Sequence, residues 1–314
     1  MKVIVTGVSG YIGGQIALQL KDAGHTVIGI DRSGCILPVW LDKFVLTDFA
    51  DKLGLSTIIQ EQPDAIIHCA GTSLVGPSIA DPAEYYHNNV IKTITLLDLV
   101  RKSLAKTRVI FSSSAAAYGI PIMTPCQEID PAEPISPYGD SKLMIERVLE
   151  SYHRAYNLDY VAFRYFNACG ADTQGRHGQA PGATHIMARV LESVKNNTQF
   201  VCNGNNFETA DGTCVRDYVH VDDIARAHIL ALSSAGVPSG VYNLGTSQGA
   251  SNLEVVAAAE KATGQSINVE FGPVRTGDPD ILTADAGKFT NATGWAPVYT
   301  LDDMAEHAWA WYNK

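Results

Sequence analysis

Long hydrophobic runs are missing: no stretch of roughly 18 consecutive apolar residues occurs in the 314-residue chain, so nothing in it reads as a membrane-crossing helix. Met1-Lys2-Val3-Ile4-Val5-Thr6-Gly7 lacks the apolar region and cleavage site of a secretory leader, which points to the cytoplasm. Cysteine is scarce. Cys35, Cys69, Cys126, Cys169, Cys202 and Cys214 form no C-x-x-C pair and read as buried thiols of a reducing compartment, against a disulfide framework or a cysteine zinc site. Clustered positive charge is also absent, with 23 Lys+Arg against 33 Asp+Glu and a net charge of −10, and this argues against a nucleic-acid surface. Any anionic ligand must therefore be held locally. There is no internal repeat and no low-complexity linker. What the chain does have is 46% hydrophobic residues with 18% charged, enough for a large core in one domain or two closely joined ones.

Turn signals punctuate alternating strand-like and helix-like segments, the pattern of an α/β protein. Short β-branched runs at Lys2–Thr6, Thr26–Ile30, Phe44–Leu46, Ala65–His68, Arg108–Ser112 and Tyr160–Phe163 suit strands buried on both faces of a parallel sheet. Helical spacing predicts helices over Tyr11–Ala23 and Pro82–Leu104. Right-handed crossovers then give a doubly wound sheet with its ligand crevice at the carboxyl ends of the strands. The rhythm lapses at Asn167, and 168–182 reads as a glycine-rich loop, expected to lie over a site. Beyond it come helices over Thr184–Asn196, Val221–Ala235, Asn252–Thr263 and Leu301–Tyr312, with strands at Gln199–Cys202, Val241–Leu244 and Asn268–Phe271. The expected organisation is a Rossmann-type dinucleotide-binding region over 1–167 and a smaller α/β substrate-binding region over 168–314, packed intimately on the first.

Gly7, Gly10 and Gly13 follow the first strand and open the first helix. In that context Gly7 permits a tight turn, Gly10 lets the backbone approach a pyrophosphate, and Gly13 lets helix and strand pack closely, while the helix amides face the phosphates. A bare glycine turn without ligand would need no more than this. The added signal is Asp31 at the end of the second strand, where a carboxylate accepts from a ribose 2′-OH. Arg32 could receive a 2′-phosphate instead, but Asp31 would repel one, so NAD is favoured over NADP. Tyr138 and Lys142 stand one helical turn apart on one face. A phenol with a pKa near 10 is a poor base at neutral pH, and an ammonium beside it, with a nicotinium charge nearby, is expected to favour phenolate. The pair is common by chance on ordinary helices. Here it follows Ser112-Ser113-Ser114 at the end of a strand, and Ser114 supplies a hydroxyl for a reacting oxygen.

The G-x-x-G-x-x-G spacing with Tyr138-x-x-x-Lys142 resembles the short-chain dehydrogenase/reductase superfamily. Narrower segments, among them His68-Cys69-Ala70-Gly71, Ser113-Ser114-Ala115-Ala116-Ala117-Tyr118-Gly119, Arg164-Tyr165-Phe166-Asn167 and Gly212-Thr213-Cys214-Val215-Arg216-Asp217-Tyr218-Val219-His220, resemble its extended branch and, over essentially the whole chain, the UDP-glucose 4-epimerase family. The resemblance implies an NAD-dependent isomerase that interconverts UDP-galactose and UDP-glucose through a 4-keto sugar, with tightly held NAD regenerated each cycle. It implies catalytic roles for Ser114, Tyr138 and Lys142. Besides the glycines and Asp31, it implies cofactor contacts at Tyr11, Ile12, Arg32, Asp48 and Phe49, at Cys69, Ala70, Gly71 and Asn88, and at Ser112, Tyr138, Lys142 and Tyr165. Substrate contacts are implied at Ser114, Tyr138, Asn167, His185, Arg216, Tyr218 and Arg275, the two arginines offering planar forks to the diphosphate. Leu282 falls where the family bounds its sugar pocket, although plain core packing explains it equally well. Related dehydratases carry an Asp and a Glu after the serine to eliminate water. Ala115 and Ala116 stand there in this chain and leave oxidation and reduction alone. Family members usually dimerise through the helix from Pro82 and the Tyr138 helix, so a homodimer is expected. The sugar stays open between hexose, N-acetylhexosamine, uronate and pentose, and a non-catalytic dinucleotide sensor is the alternative outside enzymes. Asp222-Asp223 reads as a solvated helix start, and His220 and His228 as structural, with no metal site expected.

Overall fold

The structure, a computed structural model, describes residues 1–34, 40–233, 235–275 and 277–314. Cys35, read above as a buried thiol, lies outside the described residues.

Each buried β-branched run becomes a strand, and the first half of the chain runs β1 (Lys2–Thr6), α1 (Tyr11–Asp22), β2 (Thr26–Asp31), β3 (Lys43–Leu46), α2 (Lys52–Glu61), β4 (Ala65–His68), α3 (Val75–Ala80), α4 (Pro82–Tyr85), α5 (Lys92–Ser103), β5 (Arg108–Ser114), α6 (Pro137–Tyr156) and β6 (Tyr160–Tyr165). The second half runs β7 (Asn167–Cys169), α7 (Ile186–Lys195), β8 (Phe200–Asn203), β9 (Val215–His220), α8 (Val221–Leu230), β10 (Gly240–Leu244), β11 (Gly249–Ser251), α9 (Asn252–Thr263), β12 (Val269–Gly272), β13 (Ile281–Leu282), α10 (Gly287–Thr293) and α11 (Leu301–Tyr312).

Seven parallel strands form the main sheet in the order β10-β6-β5-β4-β1-β2-β3. The fold is thus the α/β, doubly wound Rossmann type, and the order reverses between β1 and β4, where such sheets open a crevice. Apolar residues fill both faces: Val3, Val5, Ile67 and Ile110 pack toward α1 and α8, while Ile4, Ile66, Val109 and Phe111 pack toward α5 and α6. A third cluster joins α7, α9 and α11 to β8 and β9. The second half also contributes β10 to the edge of the main sheet, and it builds a small sheet of β11, β9 and β13, with β7 on β9, beside a β8–β12 pair. Among the described residues no helix is long and apolar enough to cross a membrane.

Several sequence expectations change. The helix expected over Pro82–Leu104 is broken by a π-helical turn at Tyr86–Ile91. That widened turn swings Asn88 and Asn89 toward Thr72, with Asn88 Nδ2 2.9 Å from Thr72 Oγ1 and Asn89 Nδ2 2.9 Å from the Thr72 carbonyl. Asp222 and Asp223 are buried, at 4% and 0% exposed, and are not the solvated helix start expected. Asp223 accepts from Arg226 and the Val298 amide, and Asp222 from Gln15. The loop 168–182 is only in part a cover. Its middle folds onto α1, where the Tyr11 hydroxyl donates to the Gly170 carbonyl at 2.7 Å and Gln15 donates to Asp172, and Ala168, Cys169, Gln179 and Gly182, near its two ends, reach the cleft described below.

Candidate active site

At the end of β1 the backbone turns through Gly7 at φ +73°, and a Cβ there would stand 2.7 Å from the Ala70 nitrogen. A Cβ on Gly13 would come within 2.3 Å of the Gly7 carbonyl. Both neighbours are backbone and cannot yield, so glycine is required at each. Gly10 differs. A Cβ there meets only the Gly7 carbonyl, at 3.2 Å, and the remaining side faces open space. Gly10 is also the N-cap of α1 and offers no side chain to its amides, so the helix start presents free N–H groups to the cleft. This cradle fits a dinucleotide pyrophosphate.

Around it lies a cleft of about 1420 Å³, and every residue singled out from the sequence, from Gly7 to Leu282, lines it. Asp31 is fixed at the rim by the Ser9 and Ser33 amides, which donate to its two oxygens at 3.0 and 2.9 Å. Asp48 accepts from Lys92 Nζ at 2.7 Å and from the Ala50 amide at 3.0 Å. On the floor, His228 Nδ1 lies 2.8 Å from the Ile224 carbonyl and can only donate there, so its Nε2 accepts from the Tyr165 hydroxyl at 2.7 Å. The Tyr165 oxygen in turn lies 2.9 Å from Ser112 Oγ, whose other neighbour is Cys69 Sγ at 3.1 Å. Burial and hydrogen bonding make His228 structural, as they do His220.

Ser114 is the last residue of β5, and its Oγ accepts from the Ala116 amide at 3.1 Å, capping a single 3₁₀ turn at Ala115–Ala117. Tyr138 opens α6 behind Pro137, the helix being capped by Ser136 Oγ, which accepts from the Gly139 amide at 3.2 Å. One turn on, Lys142 is 6% exposed; its Nζ donates to the Ser112 carbonyl at 2.8 Å and lies 5.0 Å from the Phe111 ring centre and 5.7 Å from that of Tyr138. The electrostatics depart from expectation. Burial pushes the Tyr138 phenol up, opposed by the Ser114 hydroxyl, and Lys142 does not bring it down. Lys142 itself is pushed down to about 8, again by burial. Both groups lose hydration, and the ammonium is directed to a backbone carbonyl and not to the phenol, so the pair alone does not make a phenolate.

The other half of the cleft, where substrate contacts are expected, is assembled by strand register. On β9, Tyr218 pairs with Asn167 of β7, and Arg216 pairs with Leu282 of β13. The Tyr218 hydroxyl is buried with no hydrogen-bond partner among the described residues, as suits a ligand contact. Arg216 donates to the Val215 carbonyl at 2.8 Å and stands 3.6 Å from Asp278. With the Asn203 amide turned so that its oxygen faces the guanidinium, Arg275 donates to it from Nε and Nη2 at 2.9 and 2.8 Å. Leu282 packs on a cluster of Ala115, Tyr118, Cys126, Phe166 and Ala284. His185 is the N-cap of α7. Sequence reasoning passed over Arg189, Asn203, Thr72, Lys92 and Asn252, all of which line the cleft. One signal was available: Arg189 lies four residues after His185 on a predicted helix, so a helix that brings one to the cleft brings the other. Among the described residues no cluster of His, Cys, Asp or Glu could hold a metal.

Comparison with known proteins gives the same picture. The model of the NAD dependent epimerase/dehydratase family matches residues 3–245. The UDP-glucose 4-epimerase of Halalkalibacterium halodurans is 41% identical, over 100% of this chain and 96% of that protein. The crystal structure of the Brucella ovis UDP-glucose 4-epimerase in complex with NAD superposes with a TM-score of 0.92 at 40% identity, covering 98% of this chain and 97% of that one. The Bifidobacterium longum UDP-glucose 4-epimerase, in complex with NAD⁺ and UDP, superposes with a TM-score of 0.92 at 36% identity, covering 100% and 98%. The chain belongs to the NAD dependent epimerase/dehydratase family and, within it, to the UDP-glucose 4-epimerases.

Proposed function

We propose that this protein is an NAD-dependent UDP-hexose 4-epimerase that interconverts UDP-galactose and UDP-glucose. The observation that carries the reading is the meeting of Ser114, Tyr138 and Lys142 at one end of a dinucleotide cradle, with Ala115 and Ala116 where an eliminating acid and base would have to stand. When bound, NAD supplies the acceptor that takes the C4 hydrogen with its electron pair and the donor that returns it to the opposite face. The chain's own residues do the rest. Tyr138, as phenolate, takes the proton of the 4′-hydroxyl and gives it back at the end of the cycle. Ser114 donates to the same oxygen and steadies it as its charge changes. Lys142 would hold the ribose hydroxyls of a dinucleotide in the cradle and keeps positive charge beside the phenol. Arg216, Arg275, Tyr218, Asn167 and His185 hold the UDP half. The 4-keto sugar can then turn over between oxidation and reduction without leaving the cleft. Leu282 walls the sugar pocket and is held by its packing cluster.

The test is proton NMR of the purified protein with UDP-galactose and UDP-N-acetylgalactosamine together, no cofactor being added. The expected result is the anomeric signal of UDP-glucose, with the N-acetylated sugar turning over more slowly because Leu282 narrows the pocket. Silence toward both, persisting after NAD is supplied, would overturn the reading.

The same reading extends to a homodimer paired through α5 and α6, supported by Ile91 and Met144, which are 56% and 40% exposed at and along these helices. Light scattering behind a sizing column should give about twice the chain mass of 33.7 kDa. The five described cysteines are all free thiols, which supports placement in a reducing cytoplasm.

A further inference from the structure

We infer that Arg189 is a third guanidinium of the nucleotide site, one that acts on the diphosphate and has no part in the chemistry at C4. The inference rests on the UDP-sugar reading above and deepens it. Arg189 lies one turn into α7 and faces the cleft. Its Nη2 donates to the Val201 carbonyl at 2.9 Å, and its guanidinium carbon stands 5.4 Å from the Phe200 ring centre. Arg275 hangs on the same strand two residues further on, through Asn203. Two residues of strand span about 7 Å, so both guanidiniums are tied to neighbouring points of β8. Among the described residues neither lies within salt-bridge distance of a carboxylate, whereas Arg216 has Asp278.

Like charges held this close repel, and burial, followed by the proximity of Arg275, pushes the pKa of Arg189 down. In a chain of net charge −10, with acidic partners available elsewhere, such a pair is stable only at a modest cost that a bound anion removes. The anchoring of both residues matters as well. A guanidinium has five N–H donors; Arg189 uses one on Val201 and keeps the rest, oriented in advance, for phosphate oxygens. Preorganised donors lose little entropy on binding.

The experiment measures binding of UDP, UMP and uridine to the purified holoprotein by calorimetry, for wild type, Arg189→Gln and Arg189→Lys, alongside steady-state kinetics and melting temperature. For Arg189→Gln, UDP affinity should fall about tenfold while uridine affinity changes less than twofold, in line with a charge-assisted hydrogen bond. KM for the UDP-sugar should rise by a similar factor at unchanged kcat. Arg189→Lys keeps the charge and should recover part of the loss. Equal UDP affinity in wild type and Arg189→Gln would overturn the inference. So would an equal loss for UDP and uridine, or a loss that follows the melting temperature, since a residue that merely braces β8 behaves in that way. Failure of wild type to bind UDP at all would overturn the parent reading instead.

Discussion

At the scale of the residue, Tyr138 is where composition and geometry pull in different directions. Burial, and to a lesser degree Tyr85, favours the neutral phenol, and among the described residues the Ser114 hydroxyl opposes it. The proton can therefore leave only when further positive charge joins that of Lys142 beside the ring, which couples base strength to an occupied cofactor site. Replacing Tyr138 with Phe removes the oxygen and keeps the ring, its edge-on contact with Tyr85 and the helix start. Turnover should fall by roughly 10²–10⁴, the worth of a general base, while UDP binding stays within about twofold. Stopped assays with the Phe variant check this, and activity within tenfold of wild type would assign the base to another group. The buried carboxylate nearest the site is Glu146, but it is consumed by Ser113 and by a 2.6 Å ion pair with Arg164, so it offers no substitute.

At the scale of the element, the segment after Asn167 shows how a connector without regular structure is held. Asp172 accepts from the Gln174 and Arg176 amides, from Gln15 and from the Arg176 guanidinium, which also reaches Asp22 on α1. Burial opposes the charged carboxyl, yet these donors hold its pKa at about 2. Asp172→Ala removes one of two acceptors from the Arg176 guanidinium and from Gln15, which keep Asp22 and Asp222, and takes the carboxylate from the Gln174 and Arg176 amides, a loss of about 3 kcal/mol in hydrogen bonds to a charged group. The melting temperature should drop by roughly 6 °C on the scale of about 2 °C per kcal/mol for a chain of this size. Scanning calorimetry measures it, and a drop under 2 °C would mean that the loop is held by its backbone alone. Nothing in the local sequence around Asp172 announced this lock, because its partners Gln15 and Asp22 lie some 150 residues away. Legibility elsewhere follows the same division. The strands of the main sheet were readable because burial on both faces demands unbroken β-branched runs, and the glycine turn because backbone contact forbids a Cβ. Strands β7, β9, β11 and β13 were not. Val215–His220 sets two adjacent charges, Arg216 and Asp217, inside a short run without period-2 alternation, and reads as a binding motif until its register with β7 and β13 is seen. The π turn was hidden for a related reason: helical spacing continues through it, and only the hydrogen bonds of Asn88 and Asn89 to Thr72 reveal the widening.

At the scale of the whole molecule, the buried histidines set the response to acid. His68 lies between Thr6 and Thr93 hydroxyls, at 2.7 and 2.9 Å, and burial followed by the charge of Lys142 pushes its pKa down to about 3. Burial and then His307 push His220 down to about 3, and burial pushes His228 down to about 4. In the unfolded chain all three titrate near 6.5. Below that pH the unfolded state binds protons that the folded state refuses, so each histidine's contribution is present above pH 6.5 and is lost as the pH falls, at about 1.4 kcal/mol per unit. Asp222 works the other way: burial and then Asp172 raise it to about 6, so the folded state takes up a proton there before the unfolded state does, and stability is gained as the pH falls toward 4. Asp98 and Asp172, each held at about 2, contribute stability that is lost only below about pH 4, the unfolded pKa of a carboxyl, and do not enter this window. Among these four groups three losses against one gain leave a net decline of about 3 kcal/mol per pH unit between pH 6 and 4, while burial also lowers His25, His177 and His185 and raises Asp217 and Asp223. Thermal melts from pH 7.5 to 4.5 should therefore be level above pH 6.5 and then fall by roughly 6 °C per unit. In His228→Asn the slope, whatever the starting melting temperature, should be about half as steep, since one of the three titrations is gone. A level melting temperature down to pH 4.5 would mean that these rings accept protons without leaving their sites. The carboxylates would then carry the whole acid transition, and they place its onset below pH 4.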